Sequence, residues 1–167
     1  MPVVVARSRP KMLLCAAGAV AFVVASLAII ARGSAITLVV GVVGVVTFSA
    51  FGLGWIVLSL RAGPGLVVDE TGFDDRSSLV AVGRVLWSDV VSVSQWTAFG
   101  SSHVVVKVRE PELYAVRQSW VVRLAGLANR KLVGSPVTIA STGLRTSFDE
   151  LFALLSDAYE KYQVRHL

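Results

Sequence analysis

Two apolar runs separated by three residues constrain this chain more than any other feature. Met12 to Ala31 is 20 residues without a charge, and Ala35 to Leu60 is 26 more. A helix needs about 20 apolar residues to cross a hydrocarbon core about 30 Å thick. The first run fits that length. The second, at about 1.5 Å per residue, exceeds it and must tilt or extend past the interface. Arg32, Gly33 and Ser34 between them suffice for a tight turn and leave no room for a domain. Arg7, Arg9 and Lys11 ahead of an apolar run are also how a signal peptide begins. This run is longer than a signal-peptide core, and a second spanning run follows at once, so both are predicted as retained transmembrane helices.

Charge divides the chain at the same place. Arg32 is the only charged residue between Met12 and Leu60, and all 11 acidic residues follow position 60. Residues 1–60 therefore carry +4 and the remainder only +1, out of a total of +5. A basic chain can suggest nucleic acid. Here the excess sits in the flanks of the apolar runs, and the folded part has no concentrated basic stripe, so nucleic acid is not expected as a partner. Three basic residues precede the first run, Arg61 follows the second, and the connecting turn has Arg32 alone. The bias of Lys and Arg toward the cytoplasmic side then predicts a multi-pass protein of the cell (plasma or inner) membrane with both termini cytoplasmic. The expected segments are a basic cytoplasmic N-terminus (1–11), transmembrane helix 1 (12–31), an outer turn (32–34), transmembrane helix 2 (35–60) and a cytoplasmic domain (65–167). Ala17, Ala21 and Ala25 on the first helix, and Gly41, Gly44, Ala50 and Gly54 on the second, allow close backbone approach, within the hairpin or to a second copy in a homo-oligomer.

The remainder reads as short strands followed by helix. Arg61–Gly65, with a proline and two glycines, ends the second helix. Leu66–Val68, the turn sequence Asp69–Gly72, and Phe73 read as a hairpin. Arg84 to Trp96 alternates, with Val91 and Val93 on one face and Ser92 and Ser94 on the other. His103 to Arg109 repeats the pattern, with Val104, Val106 and Val108 inward. Leu113, Val116, Trp120, Leu124 and Leu127 then fall on one stripe of a helix. Pro136–Ala140 reads as a last strand. Ser147 with Glu150 forms a capping box, and Phe148, Leu151, Phe152, Leu155, Tyr159 and Tyr162 line one face of a final helix. The fold class is α+β: a transmembrane hairpin followed by a bent antiparallel sheet or partly open barrel with a C-terminal helix.

Four segments carry a resemblance. Leu66–Phe73 (LVVDETGF) and Val85–Val90 (VLWSDV) resemble bacterial pleckstrin-homology-like domains, with Leu86 where proline is usual. Gly134–Ile139 (GSPVTI) and Ser147–Leu151 (SFDEL) are similar to an uncharacterised family of bacterial membrane proteins with two N-terminal helices. The resemblance implies a pleckstrin-homology-like fold and this topology. It implies no activity and no cofactor.

The residues offer little chemistry. Cys15 is the only cysteine, which excludes an internal disulfide and a thiolate metal site. No GxSxG, P-loop or HExxH motif occurs. His103 lies on the outward face of a strand and His166 near the chain end. Asp69-Glu70 and Asp74-Asp75 read as turn polarity, Asp149-Glu150 as first-turn charge of a helix, and Asp89 as a strand-end hydrogen-bonding residue. Arg117, Trp120, Arg123, Arg130 and Lys131 form the candidate contact for anionic lipid headgroups or a protein partner, with basic stems bordering an apolar stripe. The expectation is a membrane-anchored, non-enzymatic module, without cofactor or metal, that presents its domain to a protein, peptide or inner-leaflet lipid. The alternative is a self-protection (immunity-type) or envelope-maintenance protein acting on a membrane partner. An enzyme is less expected.

Overall fold

A computed structural model of the chain describes residues 2–98, 100–116 and 134–166. It divides into two units, Ser8–Ala62 and a second formed by Met1–Arg7 together with Gly63–Leu167.

The first unit is a helical hairpin. Helix α1 spans Arg9–Ile30 and α2 spans Ala35–Leu60. Pro10 in the first turn, where no intrahelical donor is needed, lets α1 begin ahead of the apolar run. Gly33, at φ +76°, reverses the chain, and the backbone N–H of Gly33 donates to the Ile30 carbonyl at 3.1 Å. Ser34 and Thr37 then cap α2 reciprocally, at 3.2 and 3.1 Å. Both helices are long and apolar enough to cross a membrane, with mean hydropathies of 2.7 and 2.3.

Their seam differs from the one expected. Ala16, Ala19 and Ser26 are buried, whereas Ala17, Ala21 and Ala25 are exposed. At 3.6 residues per turn those three alanines lie on the neighbouring stripe of α1, away from α2. Across the seam, Gly41 and Gly44 meet Ile30 and Ser26, and a Cβ on Gly52 would lie 3.2 Å from that of Ala19. Phe22 stacks on Phe48 at 4.5 Å, and the Ser26 hydroxyl donates to the Phe22 carbonyl at 2.7 Å.

The second unit is α+β with two antiparallel sheets. Strands β1 (Val3–Val5), β2 (Leu66–Val68), β3 (Gly72–Asp75) and β4 (Gly83–Leu86) form one sheet in that order. Strands β5 (Val90–Ala98), β6 (Ser101–Val108) and β7 (Val137–Ala140) form the other. A short helix α3 (Pro111–Val116) follows β6, and helix α4 (Phe148–Arg165) closes the chain. Among the described residues there is no single bent sheet and no closed barrel. The cause is local: a 3-10 turn at Trp87–Asp89 breaks what was read as one strand from Arg84 to Trp96.

Two further expectations are corrected. Residues 1–11, read only as a basic flank, contain β1, which pairs Val3, Val4 and Val5 with Val68, Val67 and Leu66. The folded unit thus uses residues that precede α1 as well as those that follow α2. Val91 faces out, 53% exposed, because the register shifts between Val90 and Ser92. An extra residue in one strand re-aims its neighbours, so Val90 and Val93 supply the inward side chains instead. Gly72 permits the close β3–β4 pairing, since a Cβ there would collide with the Val85 carbonyl.

The core lies between the sheets and α4. Phe73, Trp87, Val104, Val106, Ile139, Leu151 and Leu155 are all at most 1% exposed. Trp87 packs on Phe73 and Tyr159 at 5.3 and 6.0 Å, and its indole N–H donates to the Asp69 carbonyl at 2.9 Å. The Ser147–Glu150 capping box starts α4 as expected, with both reciprocal bonds present.

Deleting Pro2–Val5 should therefore destabilise the α+β unit by about 3 kcal/mol, at about 1 kcal/mol per lost hydrogen bond. The check is urea unfolding in detergent of the full chain with Trp55, Trp96 and Trp120 replaced by Phe, with and without the deletion, followed by Trp87 fluorescence; an unchanged midpoint would mean that β1 contributes nothing.

Candidate functional site

Arg117, Trp120, Arg123, Arg130 and Lys131 lie outside the described residues. Of the helix expected from Leu113 to Leu127, only Leu113–Val116, within α3, is described. There Tyr114 packs against the core, and its hydroxyl donates to Asp89 at 2.6 Å. Leu113, the first residue of the expected apolar stripe, is 56% exposed. The strand end at Asp89 is tied by its backbone carbonyl, which accepts from the Arg109 N–H at 2.8 Å, while its side chain serves Tyr114 instead.

A second polar arrangement lies where the chain leaves the α+β unit for the helices and returns. After β1, the Arg145 N–H donates to the Ala6 carbonyl at 2.9 Å, and Arg7 bridges to Leu144. The Gly65 N–H donates to the Val5 carbonyl, and the Arg76 N–H to the Gly65 carbonyl, both at 2.9 Å. Arg7 is 9% exposed as a residue, and its guanidinium donates to the carbonyls of Arg76 (2.8 Å) and Gly63 (3.4 Å). One side chain thereby joins both chain crossings to the β3–β4 loop.

Asp75 belongs to the same arrangement and is 2% exposed. It accepts from the Ser77 N–H at 2.9 Å. Burial pushes its carboxyl up to about 6, with Asp74 adding to the rise and Ser77 and Arg7 opposing it. The reading of Asp74-Asp75 as solvated turn polarity therefore fails for Asp75. The signal was present: in a strand, residues two apart share a face, and Phe73 points inward. Asp74 does face outward and pairs with Arg76 at 2.7 Å.

At the other end of β2, the Asp69 carboxylate accepts from Arg84 through both oxygens, at 2.7 and 2.8 Å, and from the N–H of Thr71 and Gly72. The Arg84 bond, with those of Thr71 behind it, holds this carboxyl well below the usual range despite some desolvation. The same contact raises Arg84. A shallow groove of about 300 Å³ runs between this turn and α4, lined by Val68, Glu70, Leu154, Asp157 and Lys161. Arg165 spans it to Glu70 at 3.2 Å.

The His103 ring lies tilted beside Trp96 at 5.8 Å, and His166 stacks on Tyr162 at 4.2 Å. Among the described residues no group of three His, Cys, Asp or Glu side chains could hold a metal. The Asp69 and Asp75 carboxylates hold turns, and that of Asp89 accepts from the Tyr114 hydroxyl. No protein-family model, curated protein or solved structure matches the chain.

Asp75 gives the unit a pH dependence of definite sign. Its unfolded value is near 3.9 and its folded value is about 6. The fold holds this proton more tightly than the unfolded chain between those values. Stability therefore falls as pH rises from about 4 to about 6, by about 3 kcal/mol at most, and levels above. Asp69 contributes in the opposite sense, but only below this window. Thermal unfolding of the full chain and of Asp75→Asn at pH 4.5 and 7.5 should show a smaller pH difference in the variant; equal differences would remove Asp75 as the cause.

Proposed function

We propose that this protein is a membrane-anchored, non-enzymatic module. Its helical hairpin crosses the cell membrane twice, and its α+β unit, of pleckstrin-homology-like fold, is held in the cytoplasm for a protein, peptide or inner-leaflet lipid to bind. The observation that carries this reading is the pairing of β1 with β2. Residues before α1 and after α2 are hydrogen-bonded neighbours in one sheet, so a spanning hairpin must begin and end on one side. Arg7, Arg9, Lys11 and Arg61 support the cytoplasm as that side. The outer faces of the helices support a lipid environment, with Leu14 74% and Ile36 77% exposed. Two antiparallel sheets followed by a helix packed on their core support the pleckstrin-homology-like reading. The carboxylates that hold turns support binding rather than catalysis, since active sites need perturbed groups converging on a cleft.

Two measurements on the full chain test this. In a Cys15→Ala background, Arg32→Cys should react with a membrane-impermeant maleimide on intact cells, and Glu160→Cys only after lysis; the reverse pattern would overturn the orientation. Purified in mild detergent, the protein should carry a stoichiometric protein partner or enriched anionic lipid. Exchanging Arg117, Arg123, Arg130 and Lys131 for glutamate should remove it. A chain that carries neither would refute the binding role.

A further inference from the structure

We infer that the β3–β4 loop, Arg76–Val82, is a membrane-seating element that places Leu79 and Val80 in the interfacial layer of the bilayer. This rests on the membrane-anchored reading above. Strands β2 and β3 pair Leu66 with Asp75. Leu66 follows the return from α2, so β3 runs back toward that return and its loop leaves the unit from the same end. Hydrogen bonds fix the placement independently: the Arg76 carbonyl accepts from Arg7, and the Arg76 N–H reaches Gly65. Gly63 is three residues beyond the end of α2, a span of at most about 10 Å. A bilayer crossed by α2 therefore lies within reach of this end.

The loop has the chemistry for that position. Ser77 and Val82 are buried and hold its two ends, while Leu79 and Val80 at its apex are 39% and 38% exposed. No acidic residue occurs from Arg76 to Ser88. Arg76 borders the loop, paired with Asp74, and the exposed Arg145 lies at the same end through its bond to Ala6. Val3 and Val4 are also exposed neighbours, but they pair with Val68 and Val67, toward the far turn. An apolar tip flanked by cations suits the boundary between acyl chains and anionic headgroups.

The test uses the full chain with Cys15→Ala and a single cysteine at Leu79→Cys, Glu70→Cys or Val46→Cys. Each carries an environment-sensitive fluorophore. The proteins are reconstituted in phosphatidylcholine–phosphatidylglycerol vesicles bearing nitroxides at the headgroup or mid-chain. Glu70, in the turn at the other end of β2, lies about 13 Å from Leu66 at strand spacing and is the distal reference. The expected result is quenching of the Leu79 label by headgroup nitroxide at least threefold above Glu70, with Val46 quenched by mid-chain nitroxide. Equal quenching at Leu79 and Glu70, with Val46 still quenched, would overturn the loop's role and leave the anchor standing. An unquenched Val46 would overturn the anchor, and the loop's role with it.

Discussion

The edge of the first sheet is supplied by residues that precede the helices, and the rest of the structure depends on that. Val3–Val5 lie against Leu66–Val68, with 60 residues of chain between Val5 and Leu66. Closing a flexible loop of that length carries an entropic cost that grows with the logarithm of its length. The hairpin removes most of this cost. Packing of Gly41 on Ile30, Gly44 on Ser26 and Gly52 on Ala19 sets α1 and α2 antiparallel. The start of α1 and the end of α2 are then neighbours before β1 meets β2. The hairpin is thus an insertion between the first two strands, and close helix packing is what makes the insertion compatible with the sheet.

A strand of three valines cannot set its own register. Sliding Val-Val-Val by one position presents the same side chains, although a one-residue slip exchanges which of them face inward. The register must come from the flanks. The bonds from Gly65 to Val5 and from Arg145 to Ala6 fix the backbone, and the Arg7 guanidinium reaches carbonyls on both sides of the return. A slip would unpair a guanidinium that is nearly fully buried, and an unpaired buried charge is far more destabilising than a lost surface contact. Arg7 therefore acts in the fold as a register pin. Its charge also offsets part of the desolvation of Asp75.

Several local patterns of the sequence recur in the structure, and what the sequence hid was mostly non-local. The bounds of α2, the Ser147 cap, the inward Val104 and Val106 and the β2–β3 turn all follow from patterns within a few residues. The bulge at Val91 did not, because a register shift leaves no trace in the strand that carries it. The stripe at Ala17, Ala21 and Ala25 misled, because small residues are frequent in apolar helices and their spacing does not say which face is covered. The largest omission was β1. Three valines beside a basic cluster read as a flank, and their partner lies beyond two apolar helices. Arg7 was then counted for its charge, when its structural part is to donate hydrogen bonds to carbonyls that only the folded chain assembles. The basic residues from Arg117 to Lys131 stay as the sequence presents them.

Completion of the sheet is consequently tied to the helices. β1 is the first strand in the chain, yet its partner is separated from it by both helices. Until the ends of α1 and α2 come together, β2 has an open edge, and open edges invite pairing with other chains. Leu66 and Val68, buried in the finished unit, adjoin that edge. A hairpin that fails to form would leave the α+β unit not simply unanchored but unfinished, with Arg7 absent from the junction and Asp75 without its nearby cation. The folded state of the unit therefore depends on the packed state of the hairpin through the chain itself, without requiring any contact between the two.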